Sequence, residues 1–194
     1  MKLVGIFVHE ESKSGLHSII LNKGKSEYDK LFDNWFDIGY IRKYCQDNLE
    51  HLQSGFYGDI SLEEAITEIR KEIEEINKRL LESFNENSAD NDYDTIFKQL
   101  ENKDYKIREL KPSKIKLDSR DHKDFKKSKV RVYAIRVSKN TFIITGGAIK
   151  VTEFMDGHVD TIAEEKKITL VRHWLKETEK ITTDYNLIYY YNEH

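Results

Sequence analysis

Val130-Arg131-Val132-Tyr133-Ala134-Ile135-Arg136-Val137, Ser138-Lys139-Asn140 and Thr141-Phe142-Ile143-Ile144-Thr145 follow one another without interruption. Two runs of β-branched and aromatic residues flank a short polar turn, which is the pattern of an antiparallel β-hairpin. Gly146-Gly147 comes next, before Ala148-Ile149-Lys150-Val151. A glycine pair inside a strand pattern marks a bulge or a close approach of backbone to a neighbour. Working back from the hairpin, Tyr105-Lys106-Ile107-Arg108-Glu109-Leu110 alternates and reads as a further strand that Pro112 ends, with Ile115 and Leu117 continuing the edge. Residues 118–129 read as a charged loop.

Upstream of residue 104 the apolar period is helical. Ser61-Leu62-Glu63-Glu64 is a capping box, in which side chains satisfy the free amides of a helix start. Leu62, Ile66, Ile69, Ile73, Ile76, Leu80 and Phe84 then recur at steps of four and three, predicting a long amphipathic helix over 61–84. Leu31, Trp35, Ile38, Ile41, Cys45 and Leu49 recur in the same way after Ser26 and predict one earlier helix, packed on the later one as an antiparallel hairpin. Residues 2–8 and 16–22 predict a β-hairpin, and Tyr93, Ile96, Phe97 and Leu100 a short helix. Residues 160–178 predict a helix with Ile168, Val171, Trp174 and Leu175 inward, and Leu187-Ile188-Tyr189-Tyr190-Tyr191 a last strand. The fold class expected is α+β: an antiparallel sheet packed with helices, in one domain that carries an N-terminal strand and helical extension over 1–60 and a tail over 179–194.

The chain has 194 residues, 38% hydrophobic and 35% charged, and its 22 aromatic side chains supply much of the area a core needs. Cys45 is the only cysteine, so no internal disulfide forms. With no signal-peptide pattern and no apolar run near the ~18 residues of a membrane span, a reducing, cytoplasmic setting away from membranes is expected. The seven histidines are scattered without ligand spacing, and neither a P-loop, a dinucleotide fingerprint nor a nucleophile elbow is present. No metal or cofactor is therefore expected.

The net charge of −3 hides a segregation: residues 61–102 carry −7 and residues 103–150 carry +10. Lys114, Lys116, Arg120, His122, Lys123, Lys126 and Lys127 precede the hairpin, which itself carries Arg131 and Arg136 and leads to Lys150. Clustered Lys and Arg suit the phosphates of a polyanion, and equally a solvated loop whose charge the acidic helix balances. Five positions apart on one strand, Arg131 and Arg136 project to opposite faces, so a shared site would need a bulge between them.

Taken in order, a first strand, a helical hairpin, a strand, a tight β-hairpin and a terminal helix resemble the RelE/HigB-like toxin superfamily, over residues 60–178. Lys129 to Arg136, Phe142-Ile143-Ile144-Thr145 and Ala148-Ile149-Lys150 resemble its Arg-bearing central strand and the basic position after the next strand. The chain departs from that family in being about twice as long. Where many HigB-like members run on in lysines, it reads Lys150-Val151-Thr152-Glu153. The resemblance implies a metal-independent mRNA endonuclease, acting on free or ribosome-bound RNA and neutralised by a small antitoxin protein. In such enzymes the ribose 2′-hydroxyl attacks the adjacent phosphate. Arg131 and Lys150 would stabilise charge, with His122 or a tyrosine as acid or base. A non-catalytic nucleic-acid- or protein-binding module on the same scaffold is the alternative, and an unrelated accessory protein of a mobile element a third.

Overall fold

The computed structural model describes residues 1–54, 56–84, 92–100, 110–118, 127–153 and 157–193. Six strands, β1 (Lys2–Val8), β2 (Gly15–Ile20), β3 (Phe97–Gln99), β4 (Lys111–Ile115), β5 (Val130–Ser138) and β6 (Thr141–Ile149), form one sheet in the order β1-β2-β6-β5-β4-β3. All neighbours are antiparallel except β2 and β6, which run parallel. The expected α+β class holds, but the sheet is mixed. The parallel pair arises because the helices between β2 and β4 carry the chain over one face and return it to the far side of the sheet.

Strand parity builds two cores. Val130, Val132, Ala134, Phe142 and Ile144 pack against α1 (Glu27–Phe36), α2 (Ile38–Asp47) and α4 (Leu62–Glu82). Tyr133, Ile135, Val137 and Ile143 point the other way, onto α6 (Val159–His173), its π-helical continuation Trp174–Thr178 and α7 (Asp184–Glu193). The capping box at Ser61 and Glu64 is formed, and Ile66, Ile69, Ile73, Ile76 and Leu80 are all buried along the seam that follows.

Four expectations need correction. The helix after Ser26 is not continuous. Asp37 turns its carboxylate to accept from the backbone of Gly39 and Tyr40, which ends α1 and caps α2, and Ile38 is left exposed. A four-residue α3 (Leu49–Leu52) follows it. Pro112 lies inside β4, paired with Ile135. Its carbonyl accepts from Leu100 just past the end of β3, so the side lacking an N–H faces the place where that edge strand stops. The tail is helical: Leu187 and Tyr190 are buried three residues apart while Tyr189 is exposed. The Thr183 hydroxyl accepts from the Asn186 amide there, and high β-propensity loses to local capping. Tyr93–Ile96 is the short helix α5, yet Phe97 already belongs to β3. Residues 105–109 of the expected strand lie outside the described residues.

Helix α7 is tied to the first hairpin. Tyr190 Oη accepts from the Leu3 amide at 3.2 Å, and Tyr191 Oη meets His17 Nδ1 at 2.9 Å. His17 Nε2 lies 2.9 Å from the Lys13 carbonyl, so Nε2 carries the proton and the buried ring is neutral. Burial pushes the imidazole down to about 4, against the opposing pull of the Lys13 carbonyl. The unfolded ring takes its proton near pH 6.5, so this group's contribution is complete above that pH and is lost as pH falls towards 4. The expected result is a melting temperature that drops over that window by the equivalent of about 3 kcal/mol. In His17→Gln that part of the acid dependence disappears; an unchanged acid limb in a calorimetric pH series would contradict it.

Candidate functional site at the cationic end of the sheet

Cross-strand neighbours share a face. Lys114 pairs with Tyr133 and Arg131 with Ala148, so Lys114, Lys116, Arg131 and Lys150 share one side at one end of β4, β5 and β6. The bulge between Tyr133 and Ala134 puts its extra residue, Thr145, in β6, which leaves the alternation of β5 intact. Arg136 therefore falls on the opposite face, as its spacing from Arg131 requires. Its guanidinium is held by Asp94 at 2.8 Å and by the Ser138 carbonyl.

The beginning of β5 is fixed by Glu72 on α4. This carboxylate is 2% exposed and accepts from the Ser128 hydroxyl at 2.6 Å and from the Lys129 and Val130 amides at 2.9 Å. Burial raises its pKa, and those three donors oppose the rise. Arg131, 7% exposed, donates to Ser128 Oγ at 2.9 Å and to the Val130 carbonyl at 2.7 Å. Lys129 pairs with Glu68 at 2.5 Å, with its ammonium 4.6 Å from the Tyr57 ring centre.

Lys150 completes the cluster. Its ammonium donates to the Thr152 carbonyl at 2.7 Å and to that of Glu153, and sits 5.6 Å from the Phe56 ring centre. Lys127 lies 5.1 Å from the same ring and donates to the Phe56 carbonyl. Burial first, then the positive charges of Arg131, Lys116 and Lys114, push Lys150 down to about 8. Lys116 is lowered by burial and by Arg131. Two of the carboxylates nearby are committed, Glu68 to Lys129 and Asp118 to Lys98. An anion placed here would relieve repulsion among fixed cations, and a phosphate oxygen is the acceptor that such donors suit.

No family model, curated protein or solved structure matches the chain. Its chemistry must be read from its own residues.

Of the residues expected in a site, Lys114, Lys116, Lys127, Arg131 and Lys150 converge, and Arg136 does not join them. Arg120, His122, Lys123 and Lys126 lie outside the described residues. Glu72, Lys129, Phe56 and Tyr57 are additions. Two adjacent aromatics in the turn before the Ser61 cap were a visible signal for the last two, whereas nothing distinguishes Glu72 from the other glutamates of its helix. Among the described residues no group of three or more potential metal ligands forms.

Removing the Glu72 carboxylate would leave three buried donors without their acceptor, at about 1 kcal/mol each. Glu72→Ala should therefore lower unfolding stability by about 3 kcal/mol, measured by urea denaturation. A loss under about 0.5 kcal/mol, the range of ordinary surface substitutions, would show that Glu72 does not fix this strand.

Proposed function

We propose that this chain is a toxin-like RNA-binding protein of RelE/HigB-like type, taking backbone phosphates at the cluster of Lys114, Lys116, Arg131 and Lys150. The observation that carries the proposal is the convergence of four cations on one end of the sheet, where burial, and then the other three cations, lower Lys150 to about 8. Support also comes from the chain order, in which helices follow the N-terminal strands and precede β4, the β5–β6 hairpin and a C-terminal helix. RNA is preferred to a single small anion because the charge continues from Lys150 past the shared Phe56 ring to the exposed Lys127, matching a repeating phosphate chain better than one ion.

Strand cleavage is the second reading, and Lys150 favours it. An amine that exchanges its proton near pH 8 can protonate a leaving 5′-oxygen while the neighbouring guanidinium steadies the phosphorane. Against it, the Arg131 Nη1 donors are spent on Ser128 and the Val130 carbonyl, which leaves Nη2 and Nε to meet a phosphate.

Fluorescence anisotropy of a labelled single-stranded RNA over a series of salt concentrations tests binding. Affinity should fall steeply with salt, and Lys116→Ala and Lys150→Ala should each flatten the logarithmic slope by about one counterion. Arg136→Ala, on the other face, should leave the slope unchanged. Affinity should also weaken as pH rises through about 8, because Lys150 then gives up its charge. Weak, salt-independent binding would remove the proposal. Shortening of the RNA by the wild type, lost in Lys150→Ala with the fold intact, would select cleavage over binding alone.

A further inference from the structure

Beyond its pairing with β2, which ends at Ser18 opposite Ile144, β6 runs on alone at that edge between α1 and α6. A cleft of about 280 Å³ opens there, floored by Gly146 and Gly147. The glycines are required. A Cβ at Gly146, whose φ is +150°, would strike Glu164 Oε2 and come within 2.7 Å of Lys167 Nζ. One at Gly147 would lie 2.6 Å from the Arg131 carbonyl and 2.9 Å from Trp35.

The charges in the cleft form a chain with one loose end. Lys30 donates to Glu27 Oε1, while Lys167 bridges Glu27 Oε2 and Glu164 Oε1, each contact 2.7 Å. Asp160 accepts from Tyr44 Oη at 2.8 Å, and the same hydroxyl lies 2.8 Å from the Ile149 carbonyl. Glu164 Oε2 is buried on a residue 9% exposed and has no hydrogen-bond partner among the described residues. Three carboxylates thus face two ammonium groups, with one acceptor bare.

A bare carboxylate oxygen in a confined cleft selects its ligand. An anion would meet like charge. A divalent cation needs several free oxygens, and both Glu27 oxygens and Glu164 Oε1 are already occupied. A primary ammonium supplies the missing N–H donor and the missing positive charge together. Trp35 and Tyr40 line the same cleft and suit the carbon stem of such an ion. The volume, just below the usual range for ligand pockets of about 300–1,000 Å³, fits a short chain. We propose that this cleft is a binding site for a small primary alkylammonium ion, its nitrogen on Glu164 Oε2 and its stem against Trp35 and Tyr40.

Protonation gives the site a signature. Burial raises Glu164 to about 7, opposed by Lys167 and reinforced by Glu27 and Asp160. Lys30 on α1, Tyr40 and Tyr44 on α2 and Tyr133 on β5 also face it, and burial pushes the three tyrosine hydroxyls above their ordinary range. The ammonium needs the ionised carboxylate, so its affinity should rise as pH passes through about 7 and level off above it.

An NMR titration of the Gly146 and Gly147 amides with propylammonium chloride tests the proposal, on the full chain and at constant ionic strength. Propylammonium should shift both amides saturably, more tightly at pH 8 than at pH 6. Tetramethylammonium, of equal charge but without N–H, should not. Glu164→Gln should weaken binding by at least about tenfold and abolish its pH dependence, the loss expected for one charge-assisted hydrogen bond. Ala163→Leu, at an exposed position lining the cleft, should block propylammonium without disturbing the core and keeps the test decisive if Glu164→Gln folds poorly. No saturable shift with propylammonium, equal binding of tetramethylammonium, or full binding by Ala163→Leu would overturn the assignment.

Discussion

The Glu72 carboxylate joins the long helix α4 to the first residues of the central strand, and most of the architecture follows from that junction. Three donors from Ser128, Lys129 and Val130 converge on it. Because strand side chains alternate with a period of two, fixing Val130 fixes every later residue of β5. Val130, Val132 and Ala134 go to the layer of α1, α2 and α4, and Arg131, Tyr133 and Ile135 are sent to the other side. A slip of one residue would drive Arg131 beneath α4 and exchange the residues of the two cores. The acidic helix α4 thus also sets the register of the strand that carries Arg131 and Arg136.

The second constraint is the Gly146-Gly147 pair. The extra residue Thr145 bends β6, and the two glycines then let α1 and α6 close on its free edge. Within five residues of one strand the surroundings change from carboxylate-rich, at Gly146, to cation-rich, at Lys150. Tyr44 and Tyr57 hold the join: the Tyr57 hydroxyl donates to the Lys150 carbonyl at 2.5 Å, and the Tyr44 hydroxyl lies 2.8 Å from the adjacent Ile149 carbonyl. Two binding surfaces of opposite preference, the proposed phosphate site and the proposed ammonium cleft, therefore share a single backbone support. Burial acts on both in the same direction. It disfavours the charged form of Lys150 and of Glu164, so each titrates near neutrality.

Much of this was legible in the sequence wherever one local rule acted alone. The 130–145 hairpin, the Ser61 capping box and the opposite placement of Arg131 and Arg136 all follow from period and parity. The glycine pair was readable as a close approach, although not as the floor of a cleft. Illegible were the features decided by competition between side chain and backbone or by two distant segments. Asp37 breaks a smooth apolar period because its side chain outcompetes the backbone. Pro112 survives in a strand only because β3 stops one residue short of it. The Tyr-rich tail, capped locally at Thr183, is held against the first hairpin by the partners that Leu3 and His17 offer to Tyr190 and Tyr191. Charge counting found the basic segment but not its division, since Lys129 is neutralised by Glu68 and Arg136 by Asp94 while Lys150 is crowded by like charge.

The phosphate site proposed at Lys150 rests on the burial of its ammonium beside Arg131, Lys116 and Lys114. Direct titration of the Lys150 side-chain nitrogen by heteronuclear NMR, with and without a short single-stranded RNA, tests it most closely. In the free protein the ammonium should titrate near pH 8, as burial and its cationic neighbours require. With RNA bound, an adjacent phosphate should move the titration upward, towards the ordinary lysine value of about 10.4. A Lys150 that titrates at the ordinary value in the free protein, or one near 8 that RNA leaves unmoved, would contradict the claim.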